Sequence, residues 1–109
     1  MLLPPRQCEL IELSDDQTGF PGDRPNRPYL VIRQYPARVR VMALSSNPDP
    51  RAFELPPGSA HGLTEPTFTV NWSRSIDYLT AIEATSLGHL PANLCRAVLE
   101  FIRGRYAER

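Results

Sequence analysis

The run Asn26-Arg27-Pro28-Tyr29-Leu30-Val31-Ile32-Arg33 constrains this chain most. From Tyr29 to Ile32 every side chain is aromatic, aliphatic or β-branched, with no polar position to mark a solvent face. That composition fits a strand buried on both faces better than an amphipathic helix. Pro28 is expected at the strand's first position, where a missing N–H costs least. Arg27 then stands where a Pro- and Gly-containing loop feeds a rigid strand. A second run, Val39–Leu44, ends in Ser45-Ser46-Asn47-Pro48. If the two are antiparallel neighbours joined by the short turn Tyr35-Pro36-Ala37, the start of one lies beside the end of the next. Arg27 and the serine pair are therefore expected at one corner of a sheet.

The rest of the chain reads as short strands, turns and one closing helix. Cys8–Leu13 is expected as a first strand, followed by a loop of turn formers over Ser14–Asn26. A loop that long in a small domain is either functional or disordered. Arg38–Leu44 alternates, with Val39, Val41 and Ala43 on one face and Arg38, Arg40 and Met42 on the other. Ala52–Leu55 reads as a brief strand, and Thr67–Val70 as a longer one that Trp72–Ile76 continues. Tyr78–Leu87 fits a strand or a helical turn equally. Pro91 suits a helix start; Leu94, Val98, Phe101 and Ile102 follow at helical spacing, and Gly104 is the expected stop. The sum is a mainly β fold, a small curved antiparallel sheet or barrel with a C-terminal helix packed on it, forming a single domain over residues 1–109.

Composition excludes several chemistries. Lysine is absent and all twelve basic residues are arginine, so a Walker-type phosphate loop, a Schiff base and a pyridoxal phosphate site are all ruled out. The formal net charge of zero argues against coating nucleic acid through charge alone, though not against a local basic groove. Cys8 and Cys95 form no metal spacing and do not suggest a disulfide scaffold; whether they pair is left open. No His, Cys, Asp and Glu set has metal-ligand spacing, so no metal or other cofactor is expected. No apolar segment approaches the roughly 20 residues that span a bilayer, and the opening Met-Leu-Leu-Pro-Pro lacks the pattern of a signal peptide. A soluble cytoplasmic protein is expected.

Among single residues, His61 and His89 read as turn or surface histidines. The Asp15-Asp16 pair reads as solvated, and Trp72 as core, interface or a base-stacking ring. Arg27 is the sharper case. A guanidinium held by a stiff backbone keeps its charge and can stabilise a phosphorane-like transition state; the simpler reading is an arginine paired with Asp16 or Asp23.

Four segments in order resemble the PemK/MazF family of toxins. They are Asn26-Arg27-Pro28-Tyr29-Leu30-Val31-Ile32; Val41-Met42-Ala43-Leu44-Ser45-Ser46; Gly62-Leu63 with Phe68-Thr69-Val70 and Ser73-Arg74-Ser75-Ile76-Asp77; and Leu87-Gly88-His89-Leu90. The resemblance covers roughly Cys8 to Ile102. It implies an SH3-like barrel that forms a homodimer, cuts single-stranded RNA without a metal, and is held in check by an acidic antitoxin. It places the family's arginine at Arg27 and its catalytic hydroxyl at Ser45, with Arg24, Ser46, Asn71 and Arg74 as RNA-binding candidates. The implied reaction is attack of the substrate's own 2′-OH on phosphorus, leaving a cyclic phosphate. The sequence departs from the family in three places: Pro5-Arg6 for Arg-Gly, Ser45 for threonine, and Asn71 for an acidic residue of some relatives. The alternative is a relative that keeps the fold without cleavage, acting as a gyrase poison or as a nucleic-acid or protein-binding module.

Overall fold

The computed structural model describes residues 3–106. In chain order these form β1 (Glu9–Leu13), α1 (Asp15–Thr18), β2 (Arg27–Gln34), β3 (Arg38–Ser45), β4 (Glu54–Leu55), β5 (Thr67–Asp77), α2 (Tyr78–Glu83), β6 (Thr85–His89) and α3 (Ala92–Arg105). The strands make one antiparallel sheet in the order β4-β5-β3-β2-β1-β6. β2 and β3 lie at its centre, and the apolar run of β2 is buried on both faces as expected. Tyr29 and Val31 point into one core with Ile11, Leu13, Val39, Val41, Ala43 and Ile76. Leu30 points into the other, with Leu10, Met42, Leu44 and the helix residues Val98 and Ile102.

The sheet curls into a half-barrel. The loop after β4 reaches across to β6 at the far edge, where the Gly62 N–H donates to the Leu87 carbonyl at 2.6 Å. Gly88 has φ 108°, and a Cβ there would meet the His61 backbone nitrogen at 2.8 Å, so the close approach of loop to strand requires glycine. His89 fixes the same seam, its Nδ1 2.7 Å from the Leu90 carbonyl and its Nε2 2.8 Å from that of Gln7.

Several boundaries differ from the sequence reading. β2 begins at Arg27, so Pro28 is its second residue, opposite Glu12. The brief strand expected at Ala52–Leu55 is reduced to Glu54–Leu55; Phe53 instead bonds β5 through both backbone and side chain of Thr69. The ambiguous stretch Tyr78–Leu87 divides: Asp77 caps α2 by accepting from the Thr80 N–H at 2.8 Å, and the chain then returns as β6 beside β1. α3 runs through Gly104 to Arg105 because that glycine keeps a helical φ, and the Tyr106 N–H closes on the Ile102 carbonyl at 3.0 Å. Cys8 and Cys95 are joined in a disulfide across 87 residues, tying the lead-in of β1 to the first turns of α3. No helix among the described residues is long and apolar enough to cross a membrane.

Candidate functional site

The β2–β3 register sets Tyr29 opposite Ala43. Continued by one two-residue step, it sets Arg27 opposite Ser45, with both side chains on the Tyr29–Ala43 face. The expected corner is therefore formed. The Nη1 of Arg27 donates to the Leu44 carbonyl at 3.0 Å, linking the two strand ends directly.

What holds Arg27 is Asp15, not Asp16 or Asp23. The stretch Ser14–Gly19 winds into a single helical turn. Ser14 Oγ accepts from the Gln17 N–H at 3.0 Å, the Gln17 side chain accepts from the Ser14 N–H at 2.9 Å, and Gly19 ends the turn at φ 82°. That turn drives Asp15 inward. Its carboxylate, fully buried, accepts from Arg27 Nε at 2.7 Å and Nη2 at 3.1 Å, from the Tyr29 hydroxyl at 2.9 Å and from the Arg24 N–H at 3.0 Å. Phe20 lies 4.5 Å from the guanidinium carbon and meets Trp72 edge-on at 5.1 Å. Arg27 is left only 7% exposed. Of the five N–H donors of a guanidinium, three are committed and two remain.

The electrostatics follow from this packing. The hydrogen bonds from Arg27, joined by those from Arg24 and Tyr29, hold the Asp15 carboxyl below its ordinary range against the opposing effect of burial. Burial, with the neighbouring Asp15 charge, pushes the Tyr29 phenol up to about 12. Asp15 is thus an anion at neutral pH and a poor proton acceptor there. It clamps Arg27 and offsets part of its charge. The expectation that the Asp15-Asp16 pair is merely solvated fails at Asp15.

The remaining candidates separate. Ser45 is half-buried; its Oγ accepts from the Asn47 N–H at 3.1 Å, which leaves the hydroxyl hydrogen free to donate. Ser46 is exposed in the turn beyond. Arg24 is exposed, and its backbone N–H, rather than its side chain, touches Asp15. Arg74 shares the face of Arg27: it sits opposite Val41, and its Nη1 donates to the Thr18 carbonyl at 3.1 Å. Asn71 is exposed near the C-terminal end of α3, on the walls of two cavities. One cavity, about 800 Å³, includes Ser45, Arg51, Phe68 and Arg105; Arg27 is not on its walls. The residue that the sequence reading missed is Asp15. The Ser14-x-x-Gln17 capping pattern was the signal that could have placed it on a turn. No group of three or more His, Cys, Asp or Glu among the described residues could hold a metal ion.

No protein-family model matches the chain, and no curated protein matches it by sequence. Solved structures do match by shape. A crystal structure of MazF from Deinococcus radiodurans superposes with a TM-score of 0.65 at 20% identity, covering 94% of this chain and 93% of that one. The chain has the MazF fold. Two crystal structures of MazE-MazF from the same organism agree, with TM-scores of 0.62 and 0.60 at 23% and 20% identity, each covering 94% of this chain and 91% or 92% of the other. The fold is thus shared with these structures at 20–23% sequence identity.

Proposed function

We propose that the protein is a toxin-type endoribonuclease that cuts single-stranded RNA, works as a homodimer and is restrained by an antitoxin. The observation that supports this reading is the hydrogen bond from Arg27 Nη1 to the Leu44 carbonyl, which holds Arg27 at the end of β3, one residue before Ser45, in a MazF fold. The restraining partner is inferred from the MazE-MazF complexes that share the fold.

The chemistry is a transesterification. The ribose 2′-OH attacks the adjacent phosphorus and gives up its proton to solvent, the bond from phosphorus to the 5′ oxygen breaks, and that oxygen takes a proton from solvent, leaving a 2′,3′-cyclic phosphate and a 5′-hydroxyl. The nucleophile belongs to the substrate, so no bound metal is needed to generate one. Arg27 offers its two uncommitted N–H groups to a phosphate oxygen on which charge grows, and its fixed geometry means little reorganisation as it does so. Ser45 donates its hydroxyl hydrogen to a second oxygen. Asp15 supplies orientation rather than base catalysis, since its carboxyl is held below the ordinary range. The test is incubation of the pure protein with a long single-stranded RNA in EDTA, with the product ends analysed. Cyclic phosphates at a short recurring sequence are expected; intact RNA across varied sequences would overturn the reading.

One observation favours the non-cleaving alternative. Arg27 is nearly covered, paired with a carboxylate, and off the walls of the cavity that holds Ser45. On that reading the Asp15–Arg27 pair is structural, pinning α1 to the sheet, and the protein binds its target without cutting it. RNA that is bound but left intact in the same assay would select this alternative.

A further inference from the structure

We propose that a second cavity, on the α3 side of the sheet, binds the phosphodiester backbone of single-stranded RNA. This rests on the RNA-binding part of the function proposed above. The cavity is about 380 Å³ and is walled by β2, β3, β5 and the last turns of α3. Arg33, Arg40 and Arg103 line it, and no acidic residue does among those described.

Arg33 and Arg40 are direct cross-strand partners. Like charges directly opposite on neighbouring strands destabilise a sheet. No described carboxylate lies within ion-pair distance of any of the three. Arg40 is oriented by donating through Nε to Ser73 Oγ at 3.0 Å, a neutral partner that leaves its charge uncompensated. An anion in the cavity would offset the repulsion, and planar guanidinium groups match phosphate oxygens in pairs.

The surroundings favour RNA over other anions. Tyr35, exposed in the β2–β3 turn, and Tyr106, beyond the end of α3, also line the cavity. Tyr35 offers an aromatic face beside the charges, the combination that single-stranded nucleic acid uses, while Tyr106 is packed edge-on against Phe101 and bonded to Thr69. Asn71 and Tyr106 also line the larger cavity that contains Ser45. A strand seated by the three arginines would therefore run past Asn71 toward Ser45. A second copy of this chain fits poorly, because an isologous partner centred there would bring together the arginines of both copies with no described carboxylate in the lining to offset them.

The experiment measures binding of a short 2′-O-methyl RNA, which lacks the attacking hydroxyl, by fluorescence anisotropy in EDTA across a KCl series. Wild type is compared with the double variants Arg33→Ala/Arg103→Ala and Arg33→Lys/Arg103→Lys, each checked for unchanged thermal unfolding. Both positions are exposed, so both variants are expected to fold. The alanine variant should bind about tenfold more weakly at low salt, with a slope of log affinity against log salt shallower by about 1.4. The lysine variant should keep the slope. Equal affinity and slope in the alanine variant would overturn the inference, as would an alanine variant that loses only binding of poly-glutamate or only its oligomeric mass. Cleavage of unmodified RNA is scored separately. A wild type that binds through these arginines but cuts nothing upholds the cavity and sinks the nuclease; an alanine variant that binds and cuts like wild type does the reverse.

Discussion

At the residue scale the centre of the molecule is the Asp15–Arg27 pair. The apolar strand and the Arg-Pro junction made Arg27 conspicuous in the sequence, but its partner was not legible. Asp15, Asp16 and Asp23 all lie within loop reach, and only the turn of α1 decides which carboxylate faces inward. Removing one member of a buried pair strands the other charge, at a cost of ~3–5 kcal/mol. Asp15→Asn should therefore lower the unfolding temperature sharply, as calorimetry will show. The pH dependence has a definite sign. The folded Asp15 carboxyl lies below its unfolded value, so its contribution is present at neutral pH and is lost as pH falls through the folded value, below about 4. Wild type should lose stability over that acid range, and Asp15→Asn should show a flatter profile there. For catalysis, Arg27→Lys keeps a charge but cannot span both Asp15 oxygens, so it should be nearly as damaging as Arg27→Ala. The expected loss in either is on the order of 10²–10³ in rate. Ser45→Thr keeps the hydroxyl and should retain most activity, Ser45→Ala should lose part of it, and Ser46→Ala should be nearly silent. Single-turnover RNA cleavage measures all five; full activity in a folded Arg27→Ala protein would remove Arg27 from the mechanism.

At the scale of elements, legibility followed length and pattern. β2 and β3 were readable because short apolar, β-branched runs bounded by Pro, Ser and Asn favour strands over helices. The core face of α3 was readable because Leu94, Val98 and Ile102 repeat every four residues. α1 was not, since its four residues carry no periodicity and only a capping box marks them. The division of Tyr78–Leu87 into α2 and β6 depends on pairing with β1, a contact distant in sequence and invisible locally. The same holds for Cys8 and Cys95, whose juxtaposition requires β1 and α3 to be packed first. Closing a loop of this length restricts the unfolded chain strongly, and loss of such a disulfide typically costs ~2–5 kcal/mol. Cys95→Ser should accordingly lower the denaturation midpoint without changing the half-barrel's circular dichroism. An unchanged midpoint would mean that α3 is held by its apolar contacts alone.

At the scale of the whole molecule, zero net charge conceals an uneven distribution. Arg33, Arg40 and Arg103 gather around one cavity while Asp15 is spent inside. A 109-residue chain with this many loops has a small core for its surface, which association would enlarge. Light scattering at micromolar concentration should report twice the 12.3 kDa chain mass; monomer mass alone would count against the homodimer. The same distribution shapes the expected contact with an acidic antitoxin segment. Arg24 and Arg74 are both exposed, yet they are not equivalent. The Arg74 side chain also ties β5 to α1 through the Thr18 carbonyl, whereas no side-chain hydrogen bond holds Arg24 among the described contacts. Arg24→Ala should therefore weaken antitoxin binding by the modest amount of an exposed ion pair, roughly 0.2–1 kcal/mol, with no change in unfolding temperature. Arg74→Ala should weaken binding and also lower the unfolding temperature, because α1 loses a tether. Titration calorimetry at low and high salt, paired with thermal unfolding of each variant, separates the two effects. Binding that ignores salt and survives both substitutions would show that the antitoxin grips this protein through apolar contacts elsewhere on the half-barrel.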